Sequence, residues 1–191
     1  MTPTEAVTEF VSALAHHDVA VVVEALDPQD LERWRTQELF HLAIALDDHG
    51  RRTGHESEEV HATVSIWDTS RAPELIARHA NKPLPFLPGA PTLGQVTEWP
   101  ARTLLIRFLE GRFAQAAGVG DTRRPDQLHI IGELREAPDL VHVLYRDPTA
   151  APVDPAHVEH FTLRNTGGSW RLCLGFSLLA AFSLSPGLYD E

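Results

Sequence analysis

The chain has 191 residues, 43% of them hydrophobic and 23% charged, which is ordinary soluble usage and enough apolar material for a sizeable core. Its net charge of -11 comes from 27 acidic against 16 basic residues, and the basic ones are scattered, so nucleic-acid binding is disfavoured. Cys173 is the only cysteine, which excludes an internal disulfide and a cysteine-built zinc site.

In chain order, the first segment has helical spacing. Val7, Phe10, Val11 and Leu14 fall at i, i+3, i+4 and i+7, with Thr2 or Thr4 as cap and Pro3 and Glu5 in the first turn. His16-His17-Asp18 breaks that pattern, and "VAVVVEAL" resumes it as a short second helix: its β-branched valines also suit a strand, but Ala20, Glu24, Ala25 and Leu26 favour helix. A third helix starts at "LDPQDLERW", where Asp27 is the N-cap, Pro28 the first helical residue and Asp30 an acid at the positive dipole end. It is expected to run to about Asp48 with Gly50 as its stop, Leu39, Leu42, Ala43 and Leu46 forming one stripe. Residues 51–59 are polar and read as a loop.

The middle third is less regular. "VHATVSIWD" alternates Val60, Ala62, Val64 and Ile66 like a strand, with helix as the alternative, and "APELIARHA" reads as a short helix. Residues 82–100 carry five prolines, which exclude regular structure over most of that span. Leu84, Phe86, Leu87 and Leu93 are apolar enough to pack, so the segment reads as an ordered excursion rather than a linker. "PARTLLIRFLEGRFAQAAG" is then a helix with Leu104, Phe108 and Phe113 inward.

From Gln127 the period changes to two. "QLHIIGELRE" and "DLVHVLYRD" flank Ala137-Pro138 as one hairpin, and "HVEHFTLRN" and "SWRLCLGFS" flank "NTGGS" as another. Helices first and an antiparallel meander last predict one α+β domain, 1–191, with N-terminal helices on one face of the sheet. The apolar run "LCLGFSLLAAFSL" is shorter than the roughly 20 residues a membrane-spanning helix needs, and "MTPTEAVTEF" is unlike a secretory leader. The expectation is therefore a cytoplasmic protein, with no membrane partner.

The opening "PTEAVTEFVSALAHHDVAVVVEALDPQDLERW", together with "DLVHVLYRD" and "VEHFTLRNTGGSWRLCLG" near the end, resembles the nuclear transport factor 2-like (ketosteroid-isomerase-like, cystatin-like) superfamily. The resemblance covers the first and last thirds of the chain and leaves residues 51–100 unexplained. It implies a strongly curved sheet closed by helices into a cone with a cavity, and a homodimer formed through the sheet. Trp34 and His41 on the third helix, with Phe161, Trp170, Leu172 and Leu174 on the last hairpin, are the candidate ligand-binding residues, and a small apolar molecule is the candidate ligand. Chemistry does not carry over, because Tyr145 and Tyr189 sit in no recognisable catalytic context.

A catalytic base is nominated by register alone. With Asn165–Gly168 as a four-residue loop, Leu163 faces Trp170, Phe161 faces Leu172 and Glu159 faces Leu174, which puts Glu159 and His157 at the end of an apolar face. A carboxylate there would be desolvated and poised as a general base; a strand-end acid is also commonly solvated. His157 and His160 fall on opposite faces and cannot share a metal, while His55 and His61 form only a loose cluster around "ESEEV". Closure at Ala137-Pro138 would pair Glu133 with His142 as an acid–base dyad or a solvated cross-strand pair. No metal or cofactor is expected, and no nucleophile elbow or nucleotide-binding glycine motif is present.

Three functions fit this reading. One is a non-catalytic, small-ligand-binding domain; another is a small-molecule isomerase, dehydratase or cyclase using Glu159 or His157; the third is a protein-interaction subunit.

Overall fold

The computed structural model describes residues 1–52, 69–116, 128–146 and 158–174. Six helices precede four strands among these residues, and the strands form one curved, open antiparallel sheet in the order β1-β2-β3-β4, so the fold class is α+β with a C-terminal meander.

Helix α1 (Pro3–Ala15) begins with a capping box. Thr2 Oγ1 accepts from Glu5 N–H, and the Glu5 carboxylate accepts from Thr2 N–H at 2.7 Å. Its buried stripe of Val7, Phe10 and Val11 lies over β1, β2 and β4. Asp18 caps α2 (Val19–Glu24) through Val21 N–H, which settles the valine-rich segment as helix. The residues between α2 and α3 then run alongside β4: Leu172 N–H donates to Ala25 O and Asp27 N–H donates to Leu172 O, both at 2.8 Å. Those bonds satisfy the outer edge of β4 at Leu172, where it would otherwise offer itself to another strand.

Helix α3 (Pro28–Arg52) continues through Gly50 rather than stopping there, because a glycine ends a helix when its backbone turns left-handed. Helix α4 (Ala72–His79) packs along α3, and α6 (Ala101–Ala116) packs on α2 and α3 with Leu104 and Phe108 buried and Phe113 half-buried.

The proline-rich span is ordered. Leu84 N–H donates to Pro91 O at 2.8 Å and Leu93 N–H to Lys82 O at 3.0 Å, closing a compact loop that buries Leu84, Leu87 and Leu93. A five-residue helix, α5 (Leu93–Thr97), fits between the prolines behind a Thr92–Gln95 capping box. Gly94 suits the close approach there, since a Cβ would lie 3.0 Å from Ala80 O. Arg35 of α3 ties down the far end by donating to Trp99 O at 2.7 Å and Thr97 O at 2.5 Å. The segment expected as a strand around residues 60–66 lies outside the described residues.

In the sheet, Val141, Val143 and Tyr145 of β2 (Leu140–Arg146) point inward, joined by Phe161 and Leu163 of β3 (Glu159–Thr166) and Leu172 of β4 (Ser169–Leu172). Both hairpins close differently from the sequence expectation. β3 and β4 are joined by Gly167 and Gly168 alone, each at positive φ (61° and 87°), so Leu163 faces Leu172 and Asn165 faces Trp170. The shift is two residues, so the apolar residues keep their face and only their partners change. β1 (His129–Ala137) and β2 turn at Pro138-Asp139, with irregular pairing between Arg135 and Ala137. That change is one residue, and it alters which side chains meet.

Candidate functional site

Four groups of chemistry-bearing side chains emerge from this frame. The first lies on α3. Leu31, Trp34, Glu38 and Leu42 recur at helical spacing on its buried side, so an acid occupies a position that the pattern reserves for the core. Glu38 is 3% exposed and has the His41 ring one turn away, Nδ1 standing 3.9 Å from Oε2. Trp34, also 3% exposed, packs against Phe108 of α6, and its indole N–H meets no acceptor among the described residues. A buried donor left unmatched costs on the order of 1–3 kcal/mol, so it marks a place where something else is expected to accept. Nearby in the helical layer, α4 buries His79.

The second group is on the inner sheet face. Glu159 pairs across to Tyr145, whose hydroxyl donates to Glu159 Oε2 at 2.5 Å. Tyr145 stacks on Phe161 with centroids 4.7 Å apart, and Phe161 meets Phe10 of α1 edge-on at 6.1 Å. The nominated base is thus half-buried and already engaged by a phenol.

The third group centres on His142 of the outer face, whereas Glu133 lies on the inner one. Because of the one-residue change in the first hairpin, Glu133 faces Val143, not His142, and the expected dyad does not form. Glu133 turns to α1 instead, accepting from Thr4 N–H at 3.1 Å and Thr4 Oγ1 at 2.6 Å, where a carboxylate meets the positive end of the helix. His142 faces Leu134 and Thr162 across the sheet, with Nε2 2.6 Å from Glu136 Oε2 and Nδ1 3.0 Å from Thr162 Oγ1.

The fourth group joins α3 to the sheet. Buried Asp27 accepts from Gln29 and Asp30 N–H through Oδ1 and from Arg164 and Thr166 through Oδ2. Asp30 accepts from Leu174 N–H at 3.2 Å. Burial pushes the neighbouring Cys173 thiol up to about 11, against the pull of Arg164, so it stays protonated and is no nucleophile near neutrality.

The six nominated ligand-binding residues therefore divide. Trp34 and His41 share the α3 site. Phe161 belongs to the Tyr145 stack, and Leu172 is a core residue wedged between Leu163 and Leu26. Trp170 is half-buried beneath the Arg135 guanidinium at 5.8 Å, and Leu174 borders Asp30. His157, His55 and His61 lie outside the described residues. Sequence reasoning missed Glu38 and Tyr145. The signal for Glu38 was an acid four residues after Trp34 on an apolar stripe; Tyr145 had none, because its partner comes from another strand.

No group of three or more His, Cys, Asp or Glu side chains arranged for a metal occurs among the described residues, and no described helix is long and apolar enough to cross a membrane. Comparison with protein-family models, curated proteins and solved structures finds no match.

Proposed function

We propose that the chain is a small-ligand-binding domain of the nuclear transport factor 2-like kind, whose ligand is received by Trp34 and Glu38 in the helical layer rather than turned over there. The observation that carries this reading is the buried indole N–H of Trp34, which has no acceptor among the described residues. A mainly apolar molecule bearing one acceptor group, such as a carbonyl, would satisfy it amid Phe108 and the surrounding core. The acid one turn on would orient a donor on the same molecule.

Native mass spectrometry under gentle and denaturing conditions tests this. The expected result is a small mass released on denaturation and lost in Trp34→Phe, which keeps the ring and removes the donor. A bare chain, or a Trp34→Phe protein carrying the same mass, overturns the reading. The alternative of an isomerase, dehydratase or cyclase rests on the Tyr145–Glu159 hydrogen bond, the one acid–phenol pair on the inner face among the described residues. Its signature would be turnover lost in a well-folded Glu159→Gln protein. An interaction role, with a second copy or another protein on the sheet, is favoured by exposed Ile131, Leu134 and Val158 and reads out as oligomeric state in the same spectra.

A further inference from the structure

The outer sheet face, opposite the proposed ligand layer, holds a chain of hydrogen bonds whose direction follows when the imidazole is neutral. Near neutrality a carboxylate only accepts. Glu136 Oε2 lies 2.6 Å from His142 Nε2, so Nε2 carries the proton of the neutral imidazole. In that neutral ring Nδ1 is an acceptor and Thr162 Oγ1, 3.0 Å away, is the donor. The order is carboxylate, imidazole, hydroxyl, with the hydroxyl proton already directed at a base. That order activates a hydroxyl nucleophile. The ring is held from a third side, since His160 meets it edge-on at 5.3 Å and 78°.

The surroundings indicate what could react. Leu134 sits opposite His142 and is 58% exposed, and Leu140 and Leu144 flank His142 on the same face of β2. Arg164 lies two residues beyond Thr162 on the same face of β3, paired with Asp27 at 3.3 Å and faced by Arg171 of β4. An apolar rim beside the Arg164 and Arg171 guanidiniums suits a neutral ester with a short apolar acyl group, whose carbonyl oxygen becomes negative on attack.

We propose that Thr162 is an acyl-accepting nucleophile, with His142 as its base and Glu136 as the residue that positions the base. Thr162 Oγ1 attacks the ester carbonyl carbon as its proton passes to His142 Nδ1, and the carbonyl π pair moves onto oxygen. When the intermediate collapses, the bond to the leaving oxygen breaks, that oxygen takes the proton from Nδ1, and O-acyl-Thr162 remains. Water deprotonated by Nδ1 then attacks the acyl carbon, and collapse returns the carboxylic acid and the free threonine hydroxyl. This activity is independent of the ligand-binding reading, since it uses the other face of the sheet.

The test is p-nitrophenyl acetate with the intact chain, followed by peptide mass mapping. The expected result is a burst of nitrophenolate and a single acetyl on Thr162. Thr162→Ser should retain the reaction, whereas Thr162→Val and His142→Gln should slow it by roughly 10²-fold or more, the usual range for a positioned base. An acetyl only on Lys82, the chain's one lysine, or an unchanged rate in Thr162→Val would overturn the proposal. So would an unacetylated Thr162, including one covered by a second copy. A readout independent of turnover is the His142 tautomer by nitrogen NMR. The Nε2–H form is expected, with loss of that preference in Glu136→Gln; an Nδ1–H form refutes the relay even if a variant misfolds.

Discussion

Replacing Asp27 with alanine tests how α3 is fastened to the sheet. Its carboxylate is 2% exposed and has four donors: Gln29 N–H at 2.9 Å, Asp30 N–H at 3.3 Å, Arg164 Nη1 at 3.3 Å and Thr166 Oγ1 at 3.5 Å. Losing an N-cap costs about 1 kcal/mol, and leaving its buried amides without an acceptor brings this toward 2 kcal/mol. The Arg164 side chain is 36% exposed, so its pairing adds under about 1 kcal/mol after solvent screening. The total expected for Asp27→Ala is therefore about 2–3 kcal/mol. Asp27→Asn keeps a capping oxygen and loses the charge, so it should cost about 1 kcal/mol. Equilibrium urea unfolding followed by circular dichroism, with m-values compared between variants, measures both. If Asp27→Ala and Asp27→Asn are equally destabilised, the cap is not the dominant contribution. If Asp27→Ala lies within about 0.5 kcal/mol of wild type, the fastening argument is wrong.

Three further expectations follow from the packing. Phe10→Ala removes a fully buried ring that meets Phe161 edge-on and should cost about 3–5 kcal/mol in the same unfolding assay; a loss below about 1 kcal/mol would mean that α1 does not organise the inner face. Gly168→Ala places a side chain at φ +87° with no atom near the new Cβ, so backbone strain alone should cost about 1–2 kcal/mol, and an unchanged midpoint would argue against the two-glycine turn. Cys173 should alkylate slowly near neutrality and accelerate as pH approaches about 11. Its folded-state value lies above the ordinary 9.0, so it stabilises the fold below about 9, and that contribution declines as pH rises toward about 11. Fast alkylation of folded protein at neutral pH would contradict this.

The helices were legible because their signals are local. Thr2-Pro3-Glu5 and Asp27-Pro28 mark their own helix starts, and a stripe such as Val7, Phe10, Val11 declares its face whatever it packs against. The "NTGGS" turn was also visible, and misjudging its length by two residues left the buried face intact. The first hairpin was less forgiving. An irregularity at Glu136 changed the pairing by one, which took Glu133 away from His142 and delivered Glu136 to it. No spacing rule on β1 alone announces such an irregularity.

The sequence by itself determined the class: three early helices, a proline-rich excursion with buried leucines, and a closing antiparallel meander, all set by periodicity and turn residues that act within a few positions of one another. Tertiary structure decided every pairing between distant side chains. Tyr145 with Glu159, His142 between Glu136 and Thr162, and Asp27 with Arg164 are set by strand register and helix docking. The burial of Glu38 and the unmatched Trp34 indole were likewise decided there, because desolvation depends on what packs against a residue and not on its neighbours in the chain.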